Sequence, residues 1–99
     1  MDITTATLLE AAEEAAAYLR TLGARRVWVF GSVAKGITPD FRSDLDLAVE
    51  GLPGDRYFEA VGVLLGRLPC SLDLVDMERA PTALRANILR FGRELGHAN

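Results

Sequence analysis

Two aspartates, Asp44 and Asp46, lie in a short segment, Asp44 to Glu50, whose other side chains alternate as they do in a half-buried strand. Because successive side chains of a strand point to opposite faces, both carboxylates project from one face, with their Cα atoms about 6.5–7 Å apart. Aspartate is disfavoured in strands and like charges repel. The pair therefore indicates either a solvent-facing sheet surface or a site whose bound cation relieves the repulsion. If a cation binds, all-oxygen ligands select Mg²⁺ or Mn²⁺ rather than zinc.

A Gly31-Ser32 turn precedes this pair and follows a β-branched and aromatic run, Arg26 to Phe30, that is typical of a strand. Glycine lets the backbone approach a ligand closely, and serine offers its N–H and its hydroxyl to phosphate oxygens. Amide groups at a helix start attract phosphate, and Lys35 adds a positive charge nearby. Gly-Ser turns are common, so this turn predicts a phosphate site only together with the aspartates that follow it.

A third carboxylate would complete a two-metal site, and Asp73 is the candidate that we favour. It lies between apolar residues in a predicted strand from Cys70 to Asp76, where an aspartate is costly unless it is paired or bound to a metal. Asp76 is the rival, although an acid at a strand end is ordinarily solvated or caps the structure that follows. The sequence therefore favours Asp44, Asp46 and Asp73 and leaves Asp76 open.

Apolar periodicity places helices around these strands. The order helix, strand, strand, helix, strand, helix predicts an α/β (α+β) fold with a small mixed sheet and helices packed on one face. The chain has 99 residues, so we expect one domain over residues 1–99. The first predicted helix runs from about Thr5 to Leu22. The second runs from the cap Asp55 to Arg67, with Phe58, Val61, Leu64 and Leu65 buried. The third runs from Thr82 to Leu95, with Leu84, Ile88, Phe91 and Leu95 buried.

Composition and charge exclude several classes of function. The net charge of -3 argues against binding through a broad basic face, so we expect no direct nucleic-acid binding. Cys70 is the one cysteine of the sequence, which excludes an intramolecular disulfide and a multi-cysteine metal site. No apolar run approaches the roughly 18 residues of a membrane span, and the N-terminus lacks the positive region of a signal peptide. We therefore expect a cytoplasmic protein that does not associate with membranes.

Together, the leading helix, the Gly31-Ser32 turn, the Asp-x-Asp strand and the later strand around Asp73 resemble one superfamily. It is the nucleotidyltransferase superfamily related to DNA polymerase beta, in its minimal stand-alone (MNT) form, and the resemblance implies the corresponding fold. It also implies that Gly31 and Ser32 hold the triphosphate of ATP, and that Asp44 and Asp46 bind two Mg²⁺ ions. Asp73 would bind the metal nearer the acceptor and help take the proton from the attacking hydroxyl.

The loop between Ser32 and Asp44 departs from the pattern of the family. It is one residue longer than is common, and the extra residue falls between Ile37 and Arg42, where an insertion is tolerated. The ligand contacts of the loop are therefore open, including a contact of Arg42 with the leaving phosphates. An exposed loop arginine is the alternative interpretation of Arg42.

No motif in the chain identifies the acceptor hydroxyl. Stand-alone MNT proteins are typically paired with a helical HEPN protein, so the resemblance implies an antitoxin that adds AMP to a tyrosine of a HEPN-type toxin. A short chain has little room for an acceptor-binding domain, which favours an acceptor supplied by another protein. Two alternatives stay open: transfer to a small hydroxylated molecule, for which the sequence shows no obvious pocket, and a binding module that neutralises its partner by contact alone.

Overall fold

The computed structural model describes residues 5–31 and 44–96, which form three helices and four strands. The helices are α1 (Thr5–Thr21), α2 (Tyr57–Arg67) and α3 (Thr82–Phe91), and a short 3₁₀ turn at Gly54–Arg56 precedes α2. The strands are β1 (Arg26–Phe30), β2 (Asp44–Glu50), β3 (Ser71–Asp76) and β4 (Arg93–Leu95). None of the described helices combines the length and the apolar character that crossing a membrane requires.

The four described strands form one mixed sheet in the order β3-β2-β1-β4. β1 lies antiparallel to both β2 and β4, whereas β3 runs parallel to β2. A parallel neighbour cannot be reached through a tight turn, and the crossover from β2 to β3 passes through α2. The predicted bounds of β1 and β2 are confirmed, as is the α+β fold class with a small mixed sheet.

One face of the sheet carries the larger part of the hydrophobic core. Odd-numbered residues of β1 and β2 are fully buried in the same cluster as residues of α1 and α2: Val27, Val29, Leu45, Leu47 and Val49. The predicted apolar stripe of α1 is confirmed, because it packs into this core while the glutamates of the helix are exposed. The buried residues of α1 in this cluster are Leu8, Ala12, Ala15, Ala16 and Leu19, and Leu9 and Leu22 are half-buried.

The opposite face of the sheet holds a smaller core around Trp28. Trp28 of β1 and Ala48 of β2 are buried there together with Ile88 of α3. The expectation of helices on one face therefore holds for α1 and α2, whereas α3 packs against the other face. It does not cover that face completely, since Asp46 is half-buried and Asp73 is exposed.

α2 begins later than the sequence predicts. We expected Asp55 to cap the helix, but Asp55 lies inside the 3₁₀ turn at Gly54–Arg56. The N–H of Arg56 donates a 2.9 Å hydrogen bond to the carbonyl oxygen of Pro53, so the backbone itself closes this turn. The residue that precedes α2 is Arg56, and it makes no side-chain capping bond.

The buried side of α2 also differs from the predicted one. Ala60 and Leu64 are the buried residues of the helix. Phe58 and Leu65, which we expected in the core, are 82% and 50% exposed. Each residue turns a helix by about 100°, so a buried side centred on residues 60 and 64 leaves residues 58 and 65 towards solvent.

The last helix ends at Phe91 rather than at Leu95. Gly92 follows it with an extended backbone, and a Cβ at that position would crowd the preceding helical turn. The chain then forms β4 beside β1, where Leu95 pairs with Val27 and is buried. Leu95 thus reaches the core through a strand, and Phe91 is 57% exposed although we expected it to be buried.

Candidate active site

The end of β1 and the middle of β2 meet at Gly31 and Asp46. Phe30, the last residue of β1, is the register partner of Asp46, so Gly31 follows directly beside this carboxylate. Gly31 has φ +74°, in the left-handed region that residues with a Cβ rarely adopt. A Cβ added at Gly31 would overlap the Asp46 carboxylate, whose carbon Cγ would lie 3.2 Å away. The backbone conformation therefore requires glycine here, and the Asp46 carboxylate occupies the space that a Cβ would take.

Asp46 and Asp73 lie side by side on neighbouring strands. They are register partners in the parallel pair of β2 and β3, so both are on the same face of the sheet. Neighbouring strands are about 4.8 Å apart, which brings two carboxylates of like charge close together. Of Asp44 only the backbone is described: it is the first residue of β2, in register with Ser71.

Asp76, the rival candidate for the third carboxylate, is on the other face of the sheet. It follows Asp73 on β3 and is in register with the buried Val49. Its Oδ1 accepts a hydrogen bond of 3.1 Å from the backbone N–H of Glu78, and its Oδ2 lies 3.8 Å from Nε of Arg79. Asp76 therefore shapes the turn after β3, and the acid that lies beside Asp46 is Asp73.

Three predicted ligand-binding residues, Ser32, Lys35 and Arg42, lie outside the described residues, as does the loop of residues 37–42. Their contacts with the triphosphate stay predictions. Within residues 5–31 and 44–96, no three Asp, Glu, His or Cys side chains come together as a metal site. The side chain of Asp44, which would complete the predicted set, is not among those described, so the metal-binding roles also stay predictions.

Tyr57, at the start of α2, is a neighbour of the acidic residues that we did not predict from the sequence. Its hydroxyl donates a hydrogen bond of 2.6 Å to the carbonyl oxygen of Leu74, the residue after Asp73. Burial raises the pKa of the Tyr57 hydroxyl, and the negative charges of Asp73 and Asp76 raise it further. Tyr57 thus ties α2 to the strand that carries Asp73. No local pattern signals this contact, because it joins a helix start to a later strand.

An apolar pocket of about 310 Å³ opens at the outer edge of β3, between α2 and α3. Side chains from both helices, from the strand and from the turn after it line this pocket. They include Tyr57, Phe58, Val75, Pro81 and Leu84, with Asp76 and Arg79 as the charged members. The sequence showed no obvious acceptor pocket, because the walls of this pocket come from segments that are separate in the sequence.

A family model described as polymerase beta, nucleotidyltransferase, matches residues 13–99 of the chain. No curated protein matches the chain.

Solved structures with a similar fold include a candidate minimal nucleotidyltransferase, which is 34% identical with a TM-score of 0.76; the match covers 93% of this chain and 94% of that one. A toxin–antitoxin crystal structure with AMP-PNP is 27% identical with a TM-score of 0.70, over 83% of this chain and 70% of that one. A tri-AMPylated HEPN toxin from Shewanella oneidensis in complex with an MNT antitoxin is 23% identical with a TM-score of 0.67. That match covers 88% of this chain and 70% of the other, and it shows the fold alone.

Proposed function

The chain belongs to the polymerase beta nucleotidyltransferase family, and on that basis we propose that it transfers AMP from ATP to a tyrosine hydroxyl of a HEPN-type toxin, as the antitoxin of the pair. The observation that carries the proposal is the register pairing of Asp46 with Asp73, beside a glycine that has no room for a side chain. The two carboxylates and the backbone of Gly31, which lacks a side chain, lie next to each other where β1, β2 and β3 run side by side.

The acidic residues of this site fit a hard divalent cation. Asp46 and Asp73 offer only oxygen ligands, and they carry like charges on adjacent strands, a repulsion that a bound cation offsets. In our proposal, Asp44, Asp46 and Asp73 hold two Mg²⁺ ions, with Mn²⁺ as the alternative. Bound there, such ions polarise phosphate oxygens and neutralise the charge that develops during transfer.

The other roles in our proposal are those that the resemblance to the family implies. Gly31 lets the backbone at the end of β1 approach the triphosphate, and Ser32 donates its N–H and hydroxyl to phosphate oxygens. Lys35 and Arg42 contact the phosphates that leave as pyrophosphate. Asp73 accepts the proton of the attacking hydroxyl. The hydroxyl oxygen forms a bond to the α-phosphorus, and the bond between the α-phosphorus and pyrophosphate breaks.

Two of the solved structures support ATP as the donor and a protein as the acceptor. The 27% identical toxin–antitoxin structure contains AMP-PNP, an analogue of ATP, and the HEPN toxin of the Shewanella oneidensis complex is tri-AMPylated. In the described sheet β3 is an edge strand, and Asp73 on it is exposed. A hydroxyl on another protein can therefore reach this carboxylate from the side of the sheet.

Transfer to a small hydroxylated molecule is the second candidate, and the pocket beside β3 is the observation in its favour. Its volume of about 310 Å³ matches the lower end of small-molecule sites, which begin at about 300 Å³. Under this alternative no partner protein is needed for transfer.

Transfer to a protein is tested with ATP labelled at the α-phosphate, Mg²⁺ and a HEPN-type protein encoded by a neighbouring gene. We expect label on a tyrosine of the HEPN-type protein, located by mass spectrometry. We expect no label when EDTA removes the metal, and a loss of at least about a hundredfold in Asp46→Asn.

Each other outcome selects a different function. A folded partner that takes up no label would refute transfer to that protein. Label on small hydroxylated compounds without any partner would select the second candidate. If Asp46→Asn and Asp44→Asn still neutralise the partner, the chain acts as a binding module through contact alone.

A further inference from the structure

Phe58 and Leu65 form an exposed apolar side of α2. Phe58 is 82% exposed and Leu65 is 50% exposed. Since they are seven residues apart in one helix, they lie on the same side of it, about 10 Å apart along its axis. Single exposed apolar residues are ordinary, but an apolar side that continues into a pocket indicates a contact surface.

Phe58 also lines the apolar pocket at the edge of β3, together with Tyr57, Val75 and Leu84. A volume of about 310 Å³ accommodates one large side chain or one small molecule. A small molecule confined to the pocket would leave the outer part of Phe58 and the whole of Leu65 in water. A protein surface that fills the pocket covers both residues, so the extended apolar area favours a protein as the occupant.

The pocket adjoins the carboxylate that accepts the proton in the proposed transfer. Val75, in the pocket lining, is on the same face of β3 as Asp73, with Cα atoms about 6.5–7 Å apart because two residues of strand separate them. Tyr57, on another wall, holds the carbonyl oxygen of Leu74 through its hydroxyl. A partner side chain in the pocket would therefore place the neighbouring residues of its chain next to Asp73.

Arg79 gives the rim of the pocket a positive charge. Its side chain is 78% exposed, and its Nε lies 3.8 Å from Oδ2 of Asp76. An ion pair of this length at the surface holds the guanidinium weakly, so Arg79 can also bind a carboxylate of a partner. The rim therefore fits a partner segment that presents an acidic residue to Arg79 and apolar residues to the rest of the pocket.

We propose that the pocket and the Phe58–Leu65 side of α2 together form the docking surface for the acceptor protein, which inserts one large apolar side chain into the pocket and so directs its acceptor hydroxyl to Asp73. The partner segment is amphipathic, with apolar residues against Phe58 and Leu65 and an acidic residue against Arg79. This inference rests on the proposed transfer to a protein and adds the surface that selects the acceptor.

The test compares Phe58→Ala with Phe91→Ala, which truncates another exposed phenylalanine that lies outside the pocket. The probe is the HEPN-type protein, with transfer followed by α-labelled ATP and binding followed by calorimetry without ATP. We expect Phe58→Ala to raise the KM for the HEPN-type protein and its Kd about tenfold, with kcat and the KM for ATP unchanged. Phe58→Leu should keep most of the affinity, and Phe91→Ala should behave as wild type.

The outcomes separate this inference from the proposed function. If wild type transfers label and Phe58→Ala keeps the wild-type KM and Kd, the docking surface is wrong and the transferase proposal stands. If wild type binds the partner, Phe58→Ala weakens binding and no label is transferred, the surface stands as a binding surface and the transferase proposal fails. A third outcome is transfer only to a small hydroxylated compound, with Leu84→Trp blocking it and Phe58→Ala leaving it unchanged. In that case the pocket belongs to a small-molecule acceptor, and the docking surface is overturned.

Discussion

Asp73 and Asp76 lie three positions apart on one strand and yet have different surroundings. Strand alternation puts Asp73 on the face that carries Asp46, and it puts Asp76 on the opposite face, in the turn with Glu78 and Arg79. An acid beside another acid repels it, whereas an acid that accepts a backbone N–H stabilises the fold. We therefore expect the two residues to differ in what their removal costs.

Replacing each acid by alanine gives a matched pair. Asp73→Ala should lower transfer by about 10²–10³-fold, because it removes a proposed metal ligand and proton acceptor. Its free energy of unfolding should stay within about 0.5 kcal/mol of wild type, since the residue is exposed and beside a like charge. Asp76→Ala should lower the free energy of unfolding by about 1 kcal/mol, through the lost bond to Glu78, and keep the kcat of transfer. Urea unfolding and label transfer check both, and the reverse pattern of activities would place Asp76 in the site.

Gly31 and Gly62 show that two glycines of one chain can have different reasons to be there. Gly31 combines a left-handed backbone with a neighbour, the Asp46 carboxylate, that excludes a Cβ. A Cβ at Gly62, inside α2, would meet nothing within 4 Å. The left-handed backbone requires the first glycine, whereas packing within the described residues does not require the second.

At the scale of elements, the contact between α2 and β3 connects the fold to the site. β3 pairs only with β2 within the described sheet, so one of its edges lacks a neighbouring strand. The Tyr57 hydroxyl bonds the Leu74 carbonyl on this strand. The same hydroxyl lies near the charges of Asp73 and Asp76, which raise its pKa beyond the effect of burial.

The raised pKa of Tyr57 predicts how stability depends on alkaline pH. The folded state holds this proton more tightly than the unfolded chain does, so the contribution of Tyr57 is fully present below about pH 10 and is lost as the pH rises through the folded pKa. Tyr57→Phe should lower the free energy of unfolding by about 1 kcal/mol at neutral pH, because the hydrogen bond is lost. Above about pH 10, the free energy of unfolding of Tyr57→Phe should fall less steeply with pH than that of wild type.

Urea unfolding at several pH values between 7 and about 12 measures this difference. Tyr18→Phe is the control, because it removes a phenol that lies against Arg67 and not beside Asp73 or Asp76. Parallel curves for wild type and Tyr57→Phe would contradict the prediction, as would an equal change in Tyr18→Phe.

At the scale of the whole molecule, the candidate site is assembled from three neighbouring strands, and the acids on two of them repel one another. Gly31 follows β1, Asp44 and Asp46 lie on β2, and Asp73 lies on β3. A ligand that neutralises these acids binds the folded chain and not the unfolded one, in which the three segments are apart. Ligand binding should therefore appear as added stability of the whole domain.

Saturation with Mg²⁺ and ATP should raise the Tm of the protein. At a ligand concentration of about one hundred times Kd the stabilisation is about 2.7 kcal/mol, which corresponds to roughly 10–20 °C for a domain of this size. ATP with EDTA should give little of this shift, and Asp46→Asn should lose most of it, whereas Gly62→Ala should keep it. Differential scanning calorimetry measures the Tm values, and an equal shift with EDTA or in Asp46→Asn would argue against a carboxylate-bound metal.

The local patterns of the chain were sufficient for β1, for β2 and for the family. β1 and β2 have the predicted bounds, and the Asp-x-Asp pair lies on β2 as expected, because alternation with period two is a property of consecutive residues. The apolar stripe of α1 is likewise set by residues within one helix. The resemblance to the polymerase beta nucleotidyltransferases is confirmed, since it depends on the order and the spacing of these same local features.

Tertiary structure alone decided which surfaces these elements present to one another. The exposed side of α2 with Phe58, the strand β4 in place of the last helical turn, and the bond from Tyr57 to Leu74 all depend on partners that are distant in sequence. The same holds for the pairing of Asp46 with Asp73, because the register between β2 and β3 is fixed by packing through the crossover helix. The sequence by itself predicted which residues bind a metal and a phosphate, because those roles depend on residue type and spacing, and they stay predictions. The register of the sheet decided which acids lie side by side.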